Sequence, residues 1–130
     1  MIDHTGFSVT NIEDSKLFYT RVLATLGHTI RLEFPNEAVG FGPARPDEGV
    51  DPGGAFWITA GTPSTPRMHL AFSAKNKQEV DAFHCAALRA GGKDNGAPGY
   101  RPHYHPGYYA AFILDPDGYN IEAVYHETRE

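Results

Sequence analysis

Two stretches of short, partly alternating apolar and polar residues each run directly into apolar positions that recur at helical spacing. IDHTGFSVT (2–10) leads into IEDSKLFYTRVLATLG (12–27), and MHLAFSAK (68–75) leads into KQEVDAFHCAALRAGG (77–92). The alternation predicts a strand and the three-to-four spacing predicts a helix. Ile12, Phe18, Val22 and Leu26, with Leu23 beside them, form the apolar stripe of the first helix; Val80, Phe83, Ala87 and Leu88 form that of the second. Asn11 and Asn76 stand where a side-chain oxygen caps a helix start, and Asp14 and Glu79 follow three residues on, where an acidic group suits the first turn. Gly27 and Gly91–Gly92 supply the stops, because glycine adopts the left-handed conformation common just past a helix end.

Strand-like segments separated by Gly and Pro come next. In the first half they are 28–34, 37–42 and 54–60, with GPARPDEGVDPGG as the loop between the last two. In the second half a weakly patterned stretch before Pro102 precedes GYYAAFILD (107–115) and YNIEAVYH (119–126). DPDG (115–118) predicts a hairpin turn, since Pro116 pre-sets its backbone angle and Gly118 accepts a positive one. AGTPSTP reads as a linker. The pattern is therefore βαβββ, linker, βαβββ: an α+β chain with module one over 1–60, a linker at 61–66 and module two over 67–126, in a single domain spanning 1–130.

The halves also resemble each other residue by residue. At a constant offset of 65, residues 4–27 laid over 69–92 pair His4 with His69, Phe7 with Phe72, Ser8 with Ser73, Asn11 with Asn76, Phe18 with Phe83, Leu23 with Leu88 and Gly27 with Gly92. Random sequence would give roughly one or two identities over such a span, so the chain is read as an internal duplication with a paired architecture.

Composition narrows the function classes. A chain of 130 residues with 41% hydrophobic and 21% charged residues has the makings of one ordinary core. A net charge of −5 without any run of Lys or Arg gives no electrostatic footprint for nucleic acid. The opening MIDHTGF lacks the basic-then-apolar layout of a secretory signal and no apolar run approaches a spanning helix, so a cytoplasmic protein with no membrane partner is expected. Cys85 has no second cysteine to pair with, and in a helical pattern it is expected to be a buried or half-buried thiol.

The paired modules, the strand openings DHTGFSV and MHLAFSA and the closing DPDGYNIEAVY resemble the vicinal oxygen chelate superfamily, which includes glyoxalase I, extradiol dioxygenases, fosfomycin-resistance thiol transferases and bleomycin-binding proteins. The resemblance implies a cup-shaped mixed sheet built from both modules. It implies a divalent metal, one of Fe2+, Mn2+, Zn2+ or Ni2+, on His4, His69 and Glu122. It further implies a small-molecule substrate and a homodimer, in some relatives with modules exchanged between chains. The residues are compatible with this. His4 and His69 are equivalent in the duplication, so approximate twofold symmetry would direct both to one spot. Glu122 lies among Ile121, Ala123 and Val124, where an unpaired carboxylate would be costly and ligation would compensate it. Two imidazoles and a carboxylate form the facial set typical of non-haem Fe(II) and usable by other divalent ions.

Activity within the superfamily is less constrained, because fold alone does not set function. Glyoxalase I has a fourth ligand at a place that falls here near Trp57 or Ile58, neither of which ligates; Thr59 is the nearest substitute. Trp57 and Phe56 suggest an aromatic wall or ordinary core. A fosfomycin-type transferase would want cations gathered at the site, and Arg45, Lys93 and Arg101 are scattered. Extradiol dioxygenases usually have two such paired domains. The expectation is metal-assisted chemistry on a small oxygenated molecule, of glyoxalase lyase or isomerase type or of dioxygenase type, with a metal-free binding protein of the bleomycin-resistance kind, or a fosfomycin-type thiol transferase, as the alternative. Glu122 is a candidate catalytic group as well as a ligand. In PHYHPGYY, Pro102 and Pro106 interrupt any strand, so His103 and His105 are released from ligation; His105, with Tyr109 four residues on, becomes a candidate acid or base at the rim of the cup. One of Tyr108 and Tyr109 is expected to point into that cup.

Overall fold

The computed structural model describes residues 1–45 and 51–128. The elements run β1 (Thr5–Val9), α1 (Ile12–Ala24), β2 (His28–Phe34), β3 (Ala38–Pro43), β4 (Phe56–Ala60), β5 (His69–Ser73), α2 (Lys77–Arg89), β6 (Lys93–Tyr100), β7 (Tyr108–Leu114) and β8 (Asn120–His126). The two helices keep the offset of 65 at both ends. Asn11 accepts from the Asp14 amide and Asn76 from the Glu79 amide, so both caps form as the sequence leads one to expect. Part of the expected loop after β3, residues 46–50, lies outside the described residues.

Each module forms a four-stranded mixed sheet, ordered β1-β4-β3-β2 in module one and β5-β8-β7-β6 in module two. In both, the opening strand pairs in parallel with the closing one, Phe7 opposite Ile58 and Phe72 opposite Ala123, and the remaining pairs are antiparallel. The weakly patterned stretch before Pro102 proves to be β6, whose register against β7 slips on either side of Gly96; glycines and a proline replace the alternation a sequence reading needs.

One face of each sheet, together with both helices, builds a single core that includes Phe7, Val9, Phe18, Tyr19, Phe41, Phe56 and Ile58 from module one and Val80, Phe83, Ala111, Ile113, Tyr119 and Ile121 from module two. Leu88 departs from the expected stripe and is exposed, and the Cys85 thiol is exposed as well. Both fall on the side of α2 turned from the sheets. No helix among the described residues is long and apolar enough to cross a membrane.

The DPDG turn closes as expected, with the Gly118 amide donating to the Asp115 carbonyl and Gly118 at φ +86°. Its first residue does more than turn the chain. The Asp115 carboxylate is buried, accepts from the Asp117 and Tyr119 amides at 2.9 Å, and takes the Tyr19 hydroxyl from α1. Burial raises the Asp115 pKa despite these three donors. A carboxyl that holds its proton more tightly when folded contributes stability below the ordinary carboxylate range and loses it as pH rises through the raised value. Urea unfolding at a series of pH values is therefore expected to show the wild type gaining stability, relative to Asp115→Asn, as pH falls from neutral towards 4.

Candidate functional site

The faces turned away from the shared core carry the polar and aromatic side chains of interest. On module two, Asn120, Glu122, Val124 and His126 share one face of β8, and the register places Phe112 opposite Glu122, Ala110 opposite Val124 and Tyr108 opposite His126. Tyr108 therefore stands on the same face as Glu122. Glu122 is 2% exposed, yet both its oxygens are occupied: Oε1 lies 2.9 Å from His69 Nε2 and Oε2 accepts the Tyr108 hydroxyl. A buried carboxylate with these partners avoids the cost of an unpaired buried charge.

His69 is oriented by its other nitrogen. Nδ1 lies 2.8 Å from the carbonyl of Asn120, its partner across the β5–β8 ladder, and since a carbonyl only accepts, Nδ1 carries the hydrogen. In the neutral ring Nε2 is then a lone pair facing a carboxylate oxygen. Two acceptors 2.9 Å apart need a proton or a metal cation at their side. That spacing also suits neighbouring ligands: with bonds of about 2.1 Å, two donors at a right angle about an ion lie roughly 3 Å apart. His69 and Glu122 thus fit a divalent metal. The His69 ring also packs against Phe112, 6.1 Å between centroids, and Arg101 lies over the far part of that environment, 5.3 Å from the Phe112 ring.

His4 sits elsewhere. It precedes β1, is exposed, and pairs through Nδ1 with Asp3 at 2.6 Å. The hydrogen bond that its ring donates to the Asp3 carboxylate raises its pKa. Among the described residues, the one cluster of three potential ligands within 4.8 Å of one another is Asp3, His4 and Asp51, so within this chain His4 does not close on His69 and Glu122.

Of the two tyrosines, Tyr109 points to the core side, where its hydroxyl donates to Asp81 on α2 at 2.6 Å; that bond pushes its pKa up to about 12. Tyr108 is the one beside Glu122, and burial together with the carboxylate raises its pKa further, so it remains a donor. His105 packs edge-on against Tyr108 at 5.2 Å and stacks on His126 at 5.1 Å, while His103 packs on Tyr104. The structure therefore lines up His105, Tyr108, Glu122 and His69 along one face. The choice between Tyr108 and Tyr109 comes from the hairpin closure: the Asp115 amide donates to the Tyr119 carbonyl, so 114 stands opposite 120 and 112 opposite 122, which puts 108 on the Glu122 face, whereas closure of 115 on 118 would have put 109 there.

On module one the open face is apolar. Trp57 crosses Gly40, where a Cβ would meet its ring at 2.5 Å, donates Nε1–H to the Gly54 carbonyl and stacks on the exposed Phe34, with exposed Leu32 nearby on β2. Ile58 points into the core, and Thr59 shares the face of Trp57.

Duplicated βαβββ modules, each a four-stranded mixed sheet carrying one helix, define a class of paired-module α+β proteins. The chain belongs to the glyoxalase/bleomycin resistance protein/dioxygenase superfamily, whose family model matches residues 1–123. It is similar to a glyoxalase/bleomycin resistance protein from Albidiferax ferrireducens T118, at 29% identity and a TM-score of 0.75 over 96% of this chain and 98% of the other. It shares its fold with a superfamily enzyme from Burkholderia phytofirmans PsJN (21% identity, TM-score 0.69, 97% and 98% covered) and with a lactoylglutathione lyase from Agrobacterium tumefaciens (19%, 0.66, 96% and 92%). No curated protein matches it significantly.

Proposed function

We propose that this chain is a cytoplasmic, divalent-metal-dependent enzyme acting on a small oxygenated molecule, by lyase or isomerase chemistry of the glyoxalase type or by ring-cleaving dioxygenase chemistry. The observation that carries the reading is the buried Glu122 carboxylate 2.9 Å from a His69 nitrogen whose tautomer the Asn120 carbonyl selects. A bound divalent ion would act as a Lewis acid towards neighbouring substrate oxygens. The chain's own groups supply the rest. Tyr108 holds one Glu122 oxygen by donation, and the other, which faces His69 Nε2, would ligate or accept a proton from a substrate C–H or O–H. His105 and His126, packed against Tyr108, would offer a route for that proton to solvent.

The third ligand in this reading is His4 of a second copy. A homodimer that lays the module-one face of one chain over the module-two face of the other brings His4 to His69 and Glu122 and sets the Trp57–Phe34 wall opposite them. Iron, manganese, zinc and nickel all suit two imidazoles and a carboxylate. Elemental analysis of untagged protein purified without chelator tests the reading. Close to one equivalent of a transition metal per chain is expected; below about a tenth, with no gain on reconstitution, the reading fails. A second reading, metal-free capture of an aromatic or apolar small molecule, is favoured by the half-exposed Phe34 stacked on Trp57, and it would then hold.

Tyr108→Phe removes the donor to Glu122 without changing a strand residue's shape. It is expected to weaken metal binding about tenfold in competition with a chromophoric chelator, the effect typical of losing a group that orients a ligand. Tyr109→Phe, whose hydroxyl serves Asp81 on the other side of the sheet, is expected to leave it unchanged.

A further inference from the structure

A cavity system apart from the Glu122 cluster lies between the modules. An apolar chamber of about 120 Å³ is lined by Leu23, Phe41, Phe56 and Phe72, all core-facing side chains, and by His28. A cleft of about 350 Å³ is lined by His28 again, with Arg45 on one side and Ser73 and Lys75 on the other. His28 is thus common to both spaces. Neither cavity includes His4, His69, Glu122 or Tyr108.

Two features mark this as a binding site and not a packing gap. The chamber approaches the size of the roughly 150 Å³ apolar cavity known to stay dry and admit benzene, and its walls are three aromatic rings, Phe56 meeting Phe72 edge-on at 5.1 Å. His28 Nδ1 is buried and has no hydrogen-bond partner. Such an atom is costly until something meets it, and buried polar atoms are otherwise almost always satisfied. Burial lowers the His28 pKa, so the ring is neutral and does not itself supply the charge. The charge lies outside it: Lys75 Nζ and the Arg45 guanidinium make no ion pair among the described residues, while Glu79, whose charge acts on His28, accepts from the Lys75 amide at 2.8 Å.

We propose that this composite cavity binds a small aromatic carboxylate, with its ring in the Leu23–Phe41–Phe56–Phe72 chamber, its head group at Lys75 and Arg45, and His28 Nδ1 hydrogen-bonded between them. The order of environments from apolar to a lone polar nitrogen to paired cations matches an acid of about seven carbons. A longer chain exceeds the chamber, and acetate leaves it empty. Sitting between β2–β3 of module one and β5 of module two, the ligand would touch both halves of the duplication.

Benzoate titrated into the isotope-labelled full chain, with chelator present so that the metal face contributes nothing, provides the test. Saturable shifts are expected at Leu23, His28 and Phe72, with the His28 ring-nitrogen resonance moving on saturation and acetate binding at least about tenfold more weakly. Lys75→Gln should weaken benzoate about fivefold or more and change benzyl alcohol less than about twofold. Ala55→Leu, which grows a side chain from the chamber wall, should abolish binding of both. Shifts centred on His69 and Phe112, an absence of saturation up to about 20 mM, or equal loss of both ligands in Lys75→Gln would each overturn the proposal.

Discussion

Glu122→Ala is expected to abolish stoichiometric metal uptake, with affinity falling at least about 100-fold, more than for any other single change on this face. The magnitude follows from what the carboxylate does. It is the only buried anion of the cluster, it touches His69 with one oxygen and Tyr108 with the other, and it supplies the negative charge a divalent ion needs. His69→Ala should act nearly as strongly, whereas His103→Ala, whose ring packs on Tyr104, should leave stoichiometry intact. Glu122→Gln separates charge from shape: it keeps an acceptor for Tyr108 and removes the anion, so it should retain the fold and lose the metal. His4→Ala should also lose metal, and the dimer gives a further result. Mixed dimers of His4→Ala and Glu122→Ala chains place both defects in one site and leave the other whole, so about half an equivalent per chain should return. Recovery of none would mean that His4 and Glu122 do not meet across chains.

The duplication was the most legible feature because it rests on local rules repeated twice. Asn11 and Asn76 cap, glycines stop the helices, and Phe7, Phe18, Phe72 and Phe83 mark the same inward face in each copy. Leu88 is the exception: its identity with Leu23 suggested a shared stripe, but Leu23 is buried and Leu88 is exposed, since one helix turns that position to the core and the other does not. β6 was poorly visible because Gly96, Pro98 and Gly99 erase the alternation while backbone pairing to β7 persists. The site was partly legible. Parity along β8 put Glu122 opposite the core, but the choice of Tyr108 over Tyr109 rests on closure of the hairpin between Asp115 and Tyr119, one residue beyond the DPDG turn, which the turn residues alone do not give. What periodicity does not carry is the arrangement of one module's open face relative to the other's. His4 and His69 are equivalent in the repeat and yet do not meet within the described chain, because both modules commit their inner faces to a common core.

Tyr119→Ala is expected to be the most destabilising single change, lowering unfolding free energy by about 3–5 kcal/mol in urea titration. Tyr119 follows the DPDG turn and is fully buried where the modules meet. Its ring stacks on Phe7 of β1 at 3.8 Å between centroids. Its hydroxyl donates to the Ser8 carbonyl at 2.6 Å and accepts from the Ser64 amide of the linker at 3.1 Å, and Arg67 lies 5.7 Å above the ring. One side chain thus joins β1, the linker and the start of β8. Tyr119→Phe divides the effect. It keeps the stack and leaves the Ser64 amide and Ser8 carbonyl without their partner, for a loss of about 1–3 kcal/mol. The residual difference between Phe and Ala measures the cavity and the lost ring contact. Because Tyr119 is adjacent to Asn120, whose carbonyl selects the His69 tautomer, the two substitutions also connect stability with the site. Tyr119→Phe should retain metal stoichiometry if the β5–β8 ladder, and not the module junction, holds His69 in place. A loss of metal in Tyr119→Phe at full folding would show that the junction orients the ligand as well.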